Sequence, residues 1–260
     1  DNRVKISKKL NTNCIKTIPI EVSTNKRANI INFVGVFLKK FQNEIKKTRP
    51  DLIIILGDRF ELLSIAYAAT IMSIPIAHIH GGEISEGAFD DNFRHAITKL
   101  SNLHFVSTEV YKKRVIQLGE NKKNVFNVGS LGVHNLKQMN FYKKNEIESN
   151  LNFKIKNKFN LITFHPVTLS KKNESIDNLL SVLTTLKNHT FIFTAPNIDP
   201  NNRDIVGKIK KFVKKNKNSI LVNTLGQKMY FSCLKICNGV IGNSSSGIIE
   251  APSLKIPTIN

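Results

Sequence analysis

Tryptophan is absent from the 260-residue sequence, and cysteine occurs only three times. Cys14, Cys233 and Cys237 form neither an even set nor a CxxC pair, so neither a disulfide framework nor a zinc site is indicated. Cys233 and Cys237 lie four residues apart at a predicted helix end, where we expect small core residues rather than metal ligands. This use of cysteine fits a protein of the reducing cytoplasm.

Long apolar stretches are also lacking, since no run approaches the ~20 residues that a helix needs to cross a bilayer. We therefore expect no membrane partner. The first ten residues, DNRVKISKKL, do not follow the pattern of a secretory signal and lack an initiator methionine. The last seven, LKIPTIN, stop where a short strand would finish, without the helix that normally covers such a strand. We expect a piece of a longer chain at both ends.

Acidic residues are scarce, because 19 Asp and Glu stand against 39 Lys and Arg, which gives a formal net charge of +20. Such a charge is typical of nucleic-acid-binding modules. The lysines, however, are dispersed in short clusters such as YKKR and GKIKKFVKKNKN, without interleaved aromatic residues and without a known DNA or RNA motif. We expect solvated lysine faces and no nucleic-acid partner, and keep the basic module as an alternative of a different class.

What the sequence does have is a regular alternation of short apolar runs, polar corners and helical stretches, which is typical of βαβ units. The run LIIIL is apolar on both sides, as in parallel strands buried between two helical layers. Residues 29–47 carry an apolar stripe at helical spacing and are predicted to cover one sheet face. We predict an α/β, doubly wound fold with strands at 17–20, 52–56, 74–79, 103–106, 125–128, 161–164, 191–195, 220–222, 239–241 and 257–259.

Residues 135–160 are polar, rich in Asn and Lys, and interrupt this rhythm. The chain is also longer than most single domains. We therefore predict two parallel-sheet, Rossmann-like domains. Residues 1–140 form the N-terminal domain, incomplete at its start, and residues 141–260 form a nucleotide-binding C-terminal domain, incomplete at its end.

Chemically reactive side chains follow five of the predicted strands, at the edge where parallel sheets collect their ligands. Asp58 alone could simply cap the helix beginning near Phe60, and His78 alone is expected to be a satisfied core histidine. The five endings are Asp58 and Arg59; His78, His80 and Glu83; His165 before Pro166; Asn197 and Asp199; and Asn243 to Ser246.

The stretch GNSSSGIIEAPSL places small hydroxyl residues and a glycine at a strand-to-helix corner. Backbone N–H groups and the hydroxyls of Ser244, Ser245 and Ser246 could receive a diphosphate there, although a plain serine N-cap has the same pattern. Glu250 is near enough to reach a ribose hydroxyl, or is a surface residue near a helix start.

The loop HGGEISEGAFDDNFRH is rich in carboxylates. Neighbouring charges and partial burial can raise the pKa of one carboxyl and not another, and such a difference favours general acid/base catalysis. The alternative is a solvated loop that caps the helix after Asp91. His80, Glu83 and Asp91 do not share a tight ligand spacing, so we predict no metal site.

Five motifs in this order and spacing resemble the hydrolysing UDP-N-acetylglucosamine 2-epimerases of sialic acid and related nonulosonate biosynthesis: LGDRFE, PIAHIHGGEISEGAFDDNFRHAITKLS, NVGSLG, FHPVT and NSSSGIIEAP. The resemblance covers most of the chain. It implies a glycosyltransferase-B-like fold that holds UDP-N-acetylglucosamine between two domains. It also implies a cytoplasmic homodimer that needs no metal or organic cofactor.

The reaction implied by the resemblance yields free N-acetylmannosamine and UDP. A base removes the C2 proton while UDP leaves from C1, a glycal forms, water adds at C1, and a proton returns to the opposite face of C2. The implied catalytic residues are Asp58, Asp90 and His165, the last of which faces the diphosphate. The implied substrate-binding residues are Arg59, His80, Ser130, Ser244, Ser245, Ser246 and Glu250.

The chain departs from the family at His80, where several members have a catalytic glutamate. Either Glu83 supplies the missing carboxylate or His80 itself takes an acid/base role, and we favour Glu83. The family's N-terminal glycine-threonine-arginine phosphate loop and its C-terminal arginine- and glycine-rich motif are not in this sequence. Alternatives within the class are a non-hydrolysing epimerase that keeps UDP, and a paralogue that uses a GDP-linked or 6-deoxy sugar for legionaminic acid.

Overall fold

The computed structural model describes residues 17–20, 27–85, 89–156, 158–165, 174–196 and 202–260. In its first half, strands and helices alternate around a four-stranded parallel sheet of order β1-β2-β3-β4. A short 3-10 turn, Lys122–Asn124, precedes β4. The elements are α1 (Arg27–Thr48), β1 (Ile53–Leu56), α2 (Phe60–Ile71), β2 (Ile76–Ile79), α3 (Asp90–Leu100), β3 (Leu103–Val106), α4 (Glu109–Gln117) and β4 (Val125–Asn127).

The second half builds a five-stranded sheet of order β7-β6-β5-β8-β9, again with every pair parallel. Strands β5 and β6 are buried almost throughout, as expected for strands covered on both faces. The elements are α5 (Leu131–Gln138), α6 (Lys144–Leu151), β5 (Lys158–Thr163), α7 (Glu174–Thr185), β6 (His189–Thr194), α8 (Asn202–Lys215), β7 (Ser219–Val222), α9 (Gly226–Ile236), β8 (Gly239–Gly242), α10 (Ser246–Ser253) and β9 (Thr258–Ile259).

The order of the second sheet reverses at β5, which pairs with β6 on one side and with β8 on the other. Ligands of open parallel sheets bind beyond the carboxyl ends of the strands at such a switch point. The ends of β5 and β8, at His165 and Asn243, are therefore the place in this sheet where a ligand site is expected.

Two apolar clusters cover the faces of the second sheet. Phe159 and Leu161 of β5 pack with α9, whereas Ile162 faces α7 and α8 on the other side. Cys233 and Cys237 are buried in the first cluster, which confirms their prediction as core residues. Burial raises the pKa of the Cys233 thiol to about 12 and that of Cys237 to about 11, so both stay protonated and unreactive at neutral pH. Cys14 lies outside the described residues.

The predicted domain boundary between residues 140 and 141 stays a prediction. Residues on the N-terminal side of this boundary already pack against the second sheet. Leu136 of α5 is buried in the core of the second sheet, and α5 packs against α10. The peptide N–H of Tyr142 donates to the Ser232 hydroxyl of α9 at 2.9 Å. The segment after β4 thus packs against the second sheet.

One predicted strand is wrong. Residues 17–20 have no regular secondary structure, and the carbonyl of Pro19 accepts a hydrogen bond from the Lys40 side chain of α1. This segment therefore lies against a helix rather than in a sheet. Over the described part of the chain, the structure contains no helix that is both long and apolar enough to cross a membrane.

His78 of β2 is fully buried, as predicted for a satisfied core histidine. Its Nδ1 lies 3.1 Å from the Thr98 hydroxyl and its Nε2 lies 2.9 Å from the carbonyl oxygen of Gly57. Burial lowers the pKa of His78 from its ordinary value of 6.5 to about 4. The folded protein therefore holds this imidazole neutral.

We expect the free energy of unfolding to fall as the pH drops from 6.5 towards 4. In this range the unfolded chain binds a proton at His78, whereas the buried His78 of the folded chain stays unprotonated. The full contribution is on the order of 3 kcal/mol. Urea unfolding of the wild type and of His78→Gln at several pH values measures it, since the variant should lose this part of the acid dependence. Parallel pH profiles for the two proteins would contradict the assignment.

Candidate active site

Arg94 of α3 bonds to residues that follow β1 and β2 at the carboxyl edge of the first sheet. Its Nη1 donates to the carbonyl oxygen of His80 at 2.9 Å and to Glu83 Oε2 at 3.1 Å. Its Nη2 donates to Asp58 Oδ2 and, at 2.9 Å, to the Ser85 hydroxyl. The guanidinium is 7% exposed, so its two ion pairs are largely shielded from solvent. We call Asp58, His80, Glu83, Ser85, Arg94 and Ser107 the Arg94 cluster.

Asp58 follows β1 and points into this cluster. The N-cap residue of α2 is Arg59, and the Asp58 carboxylate accepts hydrogen bonds from Arg94 and from the Ser85 hydroxyl. The structure therefore favours a charged site residue over the alternative of a simple helix cap. The catalytic role of Asp58 stays a prediction.

His80 and Glu83 follow β2 and bond to each other. His80 Nδ1 lies 2.6 Å from Glu83 Oε1, and the Ser107 hydroxyl at the end of β3 donates to the same oxygen at 2.8 Å. Burial raises the pKa of Glu83, but the hydrogen bonds from His80 and Ser107 and the charge of Arg94 outweigh it and leave the pKa below its ordinary value. Glu83 is therefore an ionised carboxylate with both oxygens hydrogen-bonded.

The acidic loop enters α3 with Asp90 and Asp91 in its first turn, where the helix dipole favours carboxylates. Asp91 Oδ1 accepts the peptide N–H of Ser85 at 2.8 Å, and Asp91 Oδ2 lies 3.6 Å from His95 Nε2. Asp91 thus ties the loop down beside the cluster. The catalytic role predicted for Asp90 stays a prediction, and Glu86 lies outside the described residues.

At the switch point of the second sheet, Asn243 holds the backbone of His165. The peptide N–H of His165 donates to Asn243 Oδ1 at 2.6 Å, and Asn243 Nδ2 donates to the His165 carbonyl at 2.9 Å. Gly242 has a φ of +128°, and a Cβ there would lie 1.9 Å from the Thr163 carbonyl oxygen. The ends of β5 and β8 are therefore locked together, and His165 is fixed beside the serine motif.

The serine motif begins α10. Ser245 is the N-cap residue, but its side chain makes no capping bond. The Ser244 hydroxyl accepts the Ser246 N–H at 3.4 Å, a long contact, and the Ser246 hydroxyl bonds to the Tyr230 hydroxyl of α9. The plain N-cap alternative therefore has little support from the Ser245 side chain.

Glu250, one turn further along α10, lies beside Gly132 of α5. A Cβ at Gly132 would lie 2.1 Å from Glu250 Oε1, so a larger residue there would displace this carboxylate. Burial raises the pKa of Glu250, and the nearby side chains of His80 and Glu83 act on that pKa in opposite directions. Glu250 therefore lies within electrostatic reach of the Arg94 cluster. Ser130, the N-cap residue of α5, lies two residues before Gly132.

A cavity of about 720 Å³ adjoins Arg59 on the side of the first sheet. Its other walls belong to the second sheet and come from the residues after β6 and β7 and from the start of α9. The lining residues are Arg59, Thr194, Ala195, Pro196, Asn223, Thr224, Leu225, Gly226, Gln227, Tyr230 and Phe231.

Arg94 thus joins Asp58, His80 and Glu83, and Glu250 lies within electrostatic reach of the latter two. Among the residues that the structure describes, no group of three or more His, Cys, Asp or Glu side chains is arranged to hold a metal ion. Pro166, Asn197 and Asp199 lie outside those residues. The sequence did not reveal the contributions of Arg94, Ser107, Gly132 and Tyr230, and it placed Asn243 after a strand without predicting its bond to His165.

A family model described as UDP-N-acetylglucosamine 2-epimerase matches residues 6–260. The GDP/UDP-N,N'-diacetylbacillosamine 2-epimerase (hydrolyzing) of Campylobacter jejuni is 44% identical over 248 residues, which cover 94% of this chain and 65% of that protein. Polysialic acid biosynthesis protein P7 of Escherichia coli is 42% identical over 262 residues, which cover 100% of this chain and 66% of that protein. The chain therefore spans slightly less than two-thirds of the length of these curated relatives.

Among solved structures, the Methanocaldococcus jannaschii UDP-GlcNAc 2-epimerase in complex with UDP-GlcNAc and UDP aligns with a TM-score of 0.78 at 20% identity, over 97% of this chain and 70% of that one. This likeness confirms the predicted α/β, glycosyltransferase-B-like fold with parallel sheets. The matched family model and the two relatives above 40% identity place the chain by sequence as well. The chain belongs to the UDP-N-acetylglucosamine 2-epimerase family.

Proposed function

We propose that the protein is a hydrolysing 2-epimerase that converts UDP-N-acetylglucosamine to N-acetylmannosamine and UDP. The observation that carries the proposal is the cavity of about 720 Å³ that Arg59, next to Asp58 in the chain, shares with the residues after β6 and β7 of the second sheet. Tyr230 in the wall of this cavity bonds to the Ser246 hydroxyl at the start of α10. A sugar linked to a diphosphate needs acid/base groups and phosphate-binding groups at once.

The diphosphate is assigned to the start of α10. Backbone N–H groups at a helix N-terminus attract phosphate, and the Ser244 and Ser245 hydroxyls add donors. The Ser246 hydroxyl is held by Tyr230, which also lines the cavity. His165, whose backbone is held by Asn243, is assigned the role of assisting departure of the diphosphate, and Arg59 is assigned to add positive charge on the opposite wall.

The nucleoside is assigned to the cavity, whose volume of about 720 Å³ falls in the range of small-molecule sites. Glu250 is assigned to a ribose hydroxyl. Ser130, close to Gly132 and therefore to Glu250, is assigned to the same region. The M. jannaschii structure, whose fold this chain shares, was solved with UDP-GlcNAc and UDP.

The sugar ring is assigned to the Arg94 cluster. Removal of the C2 proton, with the C–H electron pair forming a C1–C2 double bond, expels UDP with the C1–O pair. Water then adds at C1 while a proton returns to the opposite face of C2, so the overall reaction consumes one water. Asp58, Asp90 and the His80–Glu83 pair are the acid/base candidates for these transfers.

Product analysis tests this proposal. We expect the full-length protein, incubated with UDP-N-acetylglucosamine, to release UDP and free N-acetylmannosamine in equal amounts, as followed by phosphorus and proton NMR. A sugar that stays linked to the nucleotide would contradict the hydrolytic assignment and favour a non-hydrolysing epimerase.

A second candidate substrate is N,N'-diacetylbacillosamine linked to UDP or GDP. The observation that favours it is the 44% identity to the C. jejuni enzyme named for that sugar. Measuring kcat/KM for the UDP- and GDP-linked sugars and for UDP-N-acetylglucosamine separates the two candidates, because the true substrate should exceed the others by at least tenfold.

The assembly and pathway are further parts of the proposal. We propose a cytoplasmic homodimer that acts in sialic acid or related nonulosonate synthesis, in line with the name of the E. coli relative. Light scattering coupled to size-exclusion chromatography measures the mass of the full-length protein in solution. A monomer at micromolar concentration would contradict the assembly.

A further inference from the structure

His80 occupies a conformation that few residues with a side chain adopt. Its φ is +66°, in the left-handed region, immediately after β2 ends at Ile79. Its peptide N–H donates to the Phe105 carbonyl of β3 at 2.9 Å, and its own carbonyl accepts from Arg94 at 2.9 Å. Neighbouring elements thus hold both backbone groups of a strained residue. Such strain is concentrated at functional sites.

The contact with Glu83 determines the tautomer of the His80 ring. Because the Glu83 carboxylate is ionised and can only accept hydrogen bonds, the proton of the 2.6 Å contact belongs to His80 Nδ1. In the neutral form of the ring, the lone pair is therefore on Nε2. Glu83 itself is held by Ser107 and Arg94, so its bond to Nδ1 fixes the orientation of the imidazole ring.

The Nε2 atom has no hydrogen-bond partner among the described residues. The His80 side chain is 15% exposed, and Glu250 lies within its electrostatic reach. The neighbouring carboxylate of Asp58, by contrast, is paired with Arg94. Of the groups in the Arg94 cluster, His80 Nε2 is thus a basic atom whose lone pair remains open to a ligand.

We propose that His80 is a catalytic residue that removes the C2 proton of the sugar through Nε2, and that Glu83 is a positioning residue. The inference rests on the proposed function and revises the catalytic role assigned to Glu83 from the sequence. Nε2 takes the proton, the C–H electron pair forms the C1–C2 double bond, and UDP leaves with the C1–O pair. The resulting imidazolium donates from Nδ1 to the ionised Glu83, which stabilises its charge.

Chemical rescue tests the role of His80. Glycine suits the positive φ at this position, so His80→Gly keeps the backbone and removes the imidazole. We expect kcat to fall at least about 100-fold, UDP affinity to stay within about twofold by calorimetry, and added imidazole to restore C2 deuterium exchange. His80→Gln serves as a second variant that imidazole should not rescue. Undiminished exchange in both variants, or a folded His80→Gly protein that imidazole cannot rescue, would overturn the proposal.

Glu83→Gln tests the positioning role. We expect kcat to fall at least about tenfold with KM nearly unchanged, because the neutral amide no longer stabilises the imidazolium. Glu120→Gln is the matched control, since it makes the same chemical change at a carboxylate that lies 3.2 Å from a histidine, His104 Nε2, outside the Arg94 cluster; its kcat should fall less than threefold. Equal losses in the two variants would contradict the role of the charge.

NMR of the His80 ring nitrogens measures the tautomer of this residue without any need for turnover. We expect the Nδ1–H tautomer of His80 in the wild type and a changed tautomer population in Glu83→Gln. If the wild type turns over no nucleotide sugar although the Nδ1–H signal is present, the proposed function is contradicted, but the hydrogen bond from His80 to Glu83 is not. If the wild type epimerises its substrate but carries the Nε2–H tautomer, the inference alone has failed.

Discussion

Arg94→Met is expected to destabilise the protein by about 3 kcal/mol, because it leaves the carboxylates of Asp58 and Glu83 partly buried without their shared cation. Asp58 is 21% exposed and Glu83 13%, so solvent offsets part of the full cost of breaking a buried pair. Methionine matches the length of the arginine stem, which keeps the packing of α3. Urea unfolding followed by circular dichroism measures the change.

Turnover of Arg94→Met should fall at least about 1000-fold, since Arg94 also fixes the backbone carbonyl of His80 and the Ser85 hydroxyl. Lys99→Met, on the same helix, is the matched control. Lys99 is half-exposed and pairs with Glu120, so its loss should cost less than about 1 kcal/mol and little activity. Equal effects in the two variants would show that Arg94 does not organise the site.

Asp58→Asn is expected to reduce turnover at least about 1000-fold while leaving UDP affinity within about threefold. Asparagine keeps the shape and one acceptor oxygen, but it cannot serve as a base or balance Arg94. UDP is assigned to the second sheet, away from this side chain. Steady-state kinetics and calorimetric UDP titration give the two numbers.

Asp177→Asn on α7 makes the same chemical change at an exposed carboxylate that pairs with Lys208, and it should leave turnover unchanged. If Asp58→Asn instead unfolds the protein while Asp177→Asn does not, Asp58 is a structural residue. Wild-type turnover in Asp58→Asn would remove it from the chemistry altogether.

Much of the fold is predictable from the sequence because parallel strands buried on both faces leave continuous apolar runs. The predicted strands and the helix at 29–47 agree with the structure to within a few residues, apart from residues 17–20. Strand β5 starts three residues earlier than predicted, at Lys158, because Asn160 is a polar residue inside the sheet. Its side-chain amide is buried and bonds to His189 Nδ1 at 2.9 Å, a partner 29 positions away.

The grouping of Asp58, His80 and Glu83 is also predictable, since residues that follow neighbouring parallel strands meet at one edge. Arg94 was missed because a charged helix residue is usually solvated. Its spacing of three and four residues from the apolar Ile97 and from Thr98, both buried, was a readable signal. No comparable local signal pairs Asn243 with His165, or Gly132 with Glu250, since these contacts depend on how distant segments pack.

The most direct test of the central claim, that the Arg94 cluster moves the C2 proton, is the isotope content of the product formed by the wild type in D2O. We expect free sugar with inverted configuration and deuterium at C2, because the proton removed in elimination is replaced from solvent on the opposite face. Release of UDP together with a sugar that keeps its original hydrogen at C2 would contradict the claim.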